Sequence, residues 1–461
     1  MNETTVSRQT QLAIGAVALL SFLGILVETS LNVSFPTLTQ EFHVSLGSMQ
    51  WVTSGYLLMV TLVMSTTGFL TKKFAARTLF TTAICFNLVG TLLCASAPSF
   101  AVLLGGRLLQ AVATGLSTPL MFHLVMSLVP QEKLGTYMGI AAMVISLAPA
   151  LGPTYGGTLV AFWSWRGIFI IVLPILLLTA WLGERNIRLA ASSTTEKFDW
   201  LGVILLSVTF FSLSTAFAQA GNYGFGDRRF WWFLLAFVIG VSLLAVHLHF
   251  SARRILNFKL LLHPLIGLRW LNFFILQFVN IGISFVLPIF TEGYLHVSAF
   301  VAGLILLPGA LVGAAVSPLA GRLFDKHGAF LPLLISSLLV TCGSLLFFSL
   351  TPVLGVISVT LIYIFLRGGF NFGFSNSMSD ASTQVPPAQK AEINSLFNTF
   401  QQYAGSLGTS VLSAIISACQ MASQGSMSRA TLLGSRFDFG FLVLLALVSL
   451  ATVLGAKHRA K

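Results

Sequence analysis

SLAPALGPTYGG, residues 146–157, is the stretch on which the reading of this chain turns. It lies inside a hydrophobic run long enough to cross a bilayer. Yet it carries Pro149, Gly152, Pro153, Gly156 and Gly157, with Gly139 just before it. In the interior of a soluble helix a glycine costs about 1 kcal/mol and a proline about 3 kcal/mol relative to alanine. In a membrane such residues are tolerated, because neighbouring helices re-satisfy the freed backbone groups. Small residues also let two helix backbones approach closely. The stretch reads as a packing seam in a polytopic membrane protein, one that bends or slides.

Composition points the same way. Of 461 residues, 56% are hydrophobic and 8% charged, and the mean hydropathy is +0.90. Soluble domains carry roughly a quarter charged residues, so a soluble fold is excluded. The net charge of +12 fits basic loops on one side of a membrane. No basic stripe is interleaved with exposed aromatics, so nucleic acid is not an expected partner. Cys85, Cys94, Cys342 and Cys419 lie in apolar stretches without CxxC spacing and read as small buried hydrophobes. The first apolar run has no small-residue cleavage site after it and reads as a membrane helix, not a cleaved signal.

Runs of spanning length recur at 11–36, 50–70, 77–97, 100–126, 135–160, 167–184, 200–219, 230–250, 268–291, 299–321, 329–350, 353–377, 391–419 and 437–456. The twenty-residue rule makes these about fourteen helices. With the N-terminus inside, eighteen Lys and Arg fall on the inner side. The outer loops hold only Arg166, Arg228, Arg229, Arg429 and Arg436, and Arg107 and Arg367 fall within or at the edge of spans. That asymmetry predicts cytoplasmic termini and an even number of spans. GFLTKKFAAR at 68–77 is echoed by GRLFDKHGAF at 321–330, and repeated halves mark secondary transporters. There is no phosphate-binding GxxxxGK[ST], no HExxH and no GxSxG, which argues against an ATP-driven pump or an enzyme.

These residues together resemble the major facilitator superfamily, and within it the fourteen-helix drug/proton antiporters. Ala148–Gly157, APALGPTYGG, is similar to the antiporter signature on the family's fifth helix. WSWRGIF at 163–169 and Pro174 follow it. QWVTSGY at 50–56 resembles the second-helix motif. The resemblance implies an all-α polytopic bundle of two six-helix halves, 1–190 and 261–461, with two inserted helices in 191–260. Gly152, Pro153, Gly156 and Gly157 would be its conformational seam.

Gly321-Arg322-Leu-Phe-Asp325-Lys326-His-Gly328 looks like the family's loop motif. Asp325 at a helix N-terminus, with Arg322 and Lys326 as partners, would latch one side and break on opening; the bland alternative is a plain basic turn. In the first-half copy Lys72 stands where the family usually has Asp, which puts an acid-based latch in doubt there. Arg107, in GRLLQ, resembles the membrane-embedded arginine linked to proton transfer. The alternative is a cation snorkelling from the helix start.

VETSLNVSFP at 27–36 resembles the first-helix motif, with Val27 where many relatives carry Asp and Glu28 beside it. Glu28 is the most central carboxyl in any apolar span; Glu292, Asp380, Glu392 and Asp438 read as lying in loops or near span ends. A carboxyl at membrane depth that loads a proton from one side and releases it to the other is what coupling needs. The alternative is a glutamate that hydrogen-bonds Asn32 or water. Asn32, Tyr56, Gln110, Gln277, Asn280, Asn371, Asn398 and Tyr403 are candidates for the cavity lining, each with interhelical hydrogen bonding as its commoner role.

The expected function is proton-coupled export of lipophilic or cationic small molecules by a monomer in the plasma membrane. Its partners would be these substrates, protons and membrane lipids, with no cofactor. A carrier of a specific metabolite, peptide or lipid, and a non-transporting receptor, are the rivals.

Overall fold

The computed structural model describes residues 6–190, 198–251, 256–386, 389–423 and 426–459. Among them the regular structure is entirely helical. Fourteen long helices carry the fold: α1 (Arg8–Ser30), α2 (Trp51–Lys73), α3 (Ala76–Ala95), α4 (Phe100–Leu128), α5 (Gln131–Phe162), α6 (Val172–Asn186), α7 (Trp200–Tyr223), α8 (Arg228–Phe250), α9 (Pro264–Gly293), α10 (Ala299–His327), α11 (Phe330–Leu350), α12 (Val356–Thr383), α13 (Lys390–Ala422) and α14 (Met427–Arg459). Thirteen spans built on them are long and apolar enough to cross a membrane. The helix carrying the glycine seam, α5, is a further long helix of 32 residues.

The expected spans are all present, with one informative difference. Instead of starting at 437, α14 starts at Met427, because its first turns are held by packing where hydropathy is low. Gln420 of α13 donates to Thr431 at 3.0 Å. A Cβ on Gly434 would lie 2.7 Å from the backbone of Ile416. Asp438 is therefore not near a span end: it sits inside α14 with no exposed surface.

Successive helices alternate in direction, so one end of the bundle gathers the starts of the odd-numbered helices and the finish of α14. This is the terminal end; the other is the distal end. At the terminal end Arg77 pairs with Glu184 of α6 at 2.8 Å, and Glu184 also accepts from Thr81. The start of α3, after the loop that follows α2, is thus tied to α6. Helices α7 and α8 are clamped together where Asp199, which caps α7, meets His247 of α8 at 3.0 Å.

At the distal end α1 gives way to a 3-10 turn, Leu31–Ser34, and a short helix, Phe35–Phe42. Thr29 and Ser30 bond back to carbonyls of the preceding turn, a habit that bends helices, and Pro36 follows. Trp165 and Arg166 donate to Glu41 at 2.6 and 2.8 Å. The WSWRGIF motif thereby fastens the turn after α5 onto the extension of α1.

Helices of the segment before α7 meet those of the segment after α8 toward the distal end. Ser406 and Ser413 of α13 donate to the carbonyls of Ser54 and Leu46, at 2.7 and 3.3 Å, and Ser410 donates to Gln50 at 3.2 Å. Where α5 crosses α10, Thr154 donates to the carbonyl of Gly303 at 3.5 Å. Toward the terminal end, Asn394 and Asn398 of α13 are exposed.

Candidate functional site

The first polar cluster lies between α1, α2, α3 and α4. Arg107, in the third turn of α4, has no exposed surface; the snorkelling reading does not hold. Its Nη1 donates to Gln110 at 2.8 Å and its Nε to the Val52 carbonyl at 3.4 Å. Its guanidinium lies 4.0 Å from the centroid of the Tyr56 ring. Gln110 in turn donates to Thr91 at 2.8 Å, and Thr91 to Asn87 at 3.1 Å. The Tyr56 hydroxyl lies 2.6 Å from that of Thr114. Arg107 Nη2 is buried with no partner.

Glu28 faces this cluster from α1. It is 5% exposed, and among the described residues it makes no hydrogen bond or ion pair. The charge of Arg107 is felt at Glu28, and the charge of Glu28 at Tyr56. Among the described residues it does not bond Asn32, whose Oδ1 accepts from Thr53 at 3.0 Å. A buried carboxyl with no fixed partner, within electrostatic reach of a buried guanidinium with one unpartnered nitrogen, is a group that can take up and release a proton.

A second cluster lies between α9, α10 and α12. It draws together Gln277, Asn280 and Asn371 around Arg367. Arg367 donates from Nη1 to Asn280 Oδ1; Asn280 donates to Gln277 at 3.4 Å. Asn371 donates to the Arg367 carbonyl at 2.8 Å and accepts from Ser317 at 2.9 Å. Gly309 and Gly313 of α10 make the approach possible: a Cβ on Gly309 would lie 3.2 Å from Arg367 Cγ, and one on Gly313 would strike the Asn371 carboxamide. Arg367 was legible as a cation in a span, but not as the hub of three predicted residues.

The remaining candidates are dispersed. Tyr403 stacks on Phe210 of α7, with ring centroids 3.7 Å apart, and its hydroxyl is buried without a partner. Asn398 is exposed on α13. A separate cavity of about 490 Å³ opens between α7, α9, α13 and α14; its lining, including Phe217, Phe274, Phe278 and Phe441, is wholly apolar.

The seam residues divide between two partners. A Cβ on Gly152 would strike Thr29, and one on Gly156 would strike the Ser30 backbone, both on α1. Gly157 faces the backbone of Ala299, and the carbonyl of Pro153 faces Gly303, so these two reach across to α10. The loop motif departs from expectation. Asp325 lies near the C-terminal end of α10, not at a helix N-terminus. Arg322, Asp325 and Lys326 are exposed and form no ion pair among the described residues. Gly321 stands in open space, and Gly328 ends the helix at φ +73°, a backbone conformation that favours glycine.

Comparison with known proteins agrees with this geometry. The family model described as Major Facilitator Superfamily matches residues 17–409. The lincomycin resistance protein LmrB of Listeria monocytogenes is 32% identical over 413 residues, covering 89% of this chain and 87% of that protein. The riboflavin transporter RibZ of Clostridioides difficile is 26% identical, covering 85% of each. Among solved structures, a bacterial homologue of the human lysosomal transporter Spinster, inward-facing and unoccupied, superposes with a TM-score of 0.71 over 98% of both chains at 15% identity. The chain belongs to the major facilitator superfamily, whose members are membrane carriers rather than enzymes.

Proposed function

We propose that this chain exports lipophilic compounds, cationic ones among them, in exchange for protons. It works by alternating access as a monomer in the plasma membrane, with both termini cytoplasmic. The halves 1–190 and 261–461 rock against each other, and 191–260 supplies the inserted pair. The observation that carries this reading is Glu28: a buried, unpartnered carboxyl within electrostatic reach of Arg107. Such a group exchanges a proton for a cationic head without demanding a fixed shape around it. Among the described residues, the hydrogen bonds between the halves lie toward the distal end, which fits a resting state open toward the termini. The name of LmrB, a lincomycin resistance protein, favours drugs as cargo. The name of RibZ, a riboflavin transporter, keeps a specific metabolite as the second reading.

The test is growth of cells lacking their own exporters, with and without this chain, against ethidium, lincomycin and excess riboflavin at two external pH values. Export of structurally unrelated compounds that strengthens at low external pH supports the proposal. Tolerance confined to one compound, or independent of pH, supports the specific carrier.

A further inference from the structure

We propose that Arg367, with Asn280 orienting it, is the docking point for an anionic group on an amphiphilic substrate. The chemical class is a carboxylate, sulfonate or phosphate carried on an apolar body. The inference rests on the reading of the chain as an exporter of amphiphiles and adds a substrate class to it.

Four observations carry it. First, Arg367 lies in the middle of α12, where a cation is sustained only by a partner or by water. Second, among the described residues it forms no ion pair. The acid on its own helix, Asp380, is already held by Arg269 at 2.5 Å, and the polar side chain that Arg367 touches is the neutral carboxamide of Asn280. Its Nε is buried without a partner. Third, Arg367, Asn280 and Asn371 are each only half-buried, so the cluster meets open space. Fourth, that space borders the first half, since the next residue of α9, Ile281, packs against the group containing Tyr56, Leu57 and Val60. Arg107 likewise bonds a neutral carboxamide and forms no ion pair among the described residues, but it is sealed from solvent and has Glu28 within electrostatic reach. A planar guanidinium with unused donors is suited to bidentate capture of an oxyanion.

The experiment uses the full chain in lipid nanodiscs and two radiolabelled probes with the same apolar body: naphthalene-1-sulfonate and (1-naphthyl)trimethylammonium. Binding is measured for wild type, Arg367→Gln and Arg367→Lys. The expected result is that Arg367→Gln weakens the sulfonate by roughly tenfold to a hundredfold, the loss of a charge-assisted bond. The ammonium probe should bind as well as before or better, and Arg367→Lys should recover most of the sulfonate affinity. Unchanged sulfonate binding in Arg367→Gln overturns the inference. So does an equal loss of both probes, which would make Arg367 a structural residue. Because no pH gradient is applied, failure of proton-coupled export leaves this result readable. Conversely, export of cations by a protein that ignores the sulfonate sinks the anion site alone.

Discussion

The guanidinium of Arg107 lies 4.0 Å from the centre of the Tyr56 ring, and Glu28 lies within electrostatic reach of both. Three helices therefore converge on one buried charge. A desolvated cation–aromatic contact contributes about 2 kcal/mol, and a bond from a charged donor about 1.5–3 kcal/mol. Lysine keeps the charge but has neither the planar stacking surface nor the reach to hold Gln110 and Val52 together. Arg107→Lys should insert normally and lose transport by roughly tenfold or more. Tyr56→Phe, which gives up only its hydroxyl bonds, should cost less than about 1.5 kcal/mol. Initial rates of efflux from loaded cells measure both, and equal rates in Arg107→Lys and wild type would contradict this role.

The glycine seam has two faces with separable consequences. Gly152→Leu drives a bulky side chain into α1, where even a Cβ meets Thr29. The protein should remain in the membrane and lose export. Gly303→Ala presses instead on Pro153, across the boundary between the halves, and should loosen distal closure. A cysteine placed at Ser406, in a background lacking Cys85, Cys94, Cys342 and Cys419, should then react faster with a membrane-impermeant maleimide added outside. Wild-type export by Gly152→Leu, or unchanged labelling in Gly303→Ala, would remove the corresponding half of the argument.

Asp438 and Asp380 differ in whether a cation holds them, and the effect of removing a charge at each site should differ accordingly. Asp438 has both carboxyl oxygens buried without partners. Asp438→Asn should leave the melting temperature in detergent unchanged or raise it, since it removes an uncompensated group. Asp380 is held by Arg269, itself 5% exposed. Arg269→Gln strands that carboxylate and should destabilise by about 3–5 kcal/mol, the usual effect of breaking a buried pair from one side. A melting temperature lowered by Asp438→Asn would contradict the reading of its carboxyl as uncompensated.

Topology is independently testable. The excess of Lys and Arg on one side predicts that reporters at Met1 and Lys461 are both cytoplasmic. These two residues lie outside the described part of the structure. A C-terminal reporter mapping to the outside would mean that one span of the inserted pair fails to cross.

The helices were largely legible because hydropathy and length are local properties, and so was the seam, because glycine and proline at 149–157 have few other uses in a bilayer. The start of α14 was not. Its first turns are polar and depend on Gln420, Ile416 and their counterparts on α14, a tertiary cause invisible to a hydropathy window. Misplacing that start misplaced Asp438. Of the site, Glu28, Arg107, Tyr56 and Gln110 were found as polar residues in apolar runs, and the fold brings them together. Gln277, Asn280 and Asn371 were found singly, while their convergence on Arg367 depends on Gly309 and Gly313 of another helix. Asp325 was misassigned because a loop motif does not say which side of a helix end it occupies. Glu41 was passed over because its partners, Trp165 and Arg166, lie more than a hundred residues away.

The central claim is that Glu28 carries the coupling proton, and the most direct measurement is drug-driven proton movement in proteoliposomes with an imposed pH gradient. Glu28→Gln has nearly the same size and stays permanently neutral, so it should fold and reconstitute like wild type. Ethidium transport driven by the gradient should fall to the level of empty liposomes, with no proton flux on adding substrate. Gradient-driven ethidium transport by Glu28→Gln at the wild-type rate would contradict the claim and leave Glu28 a structural residue.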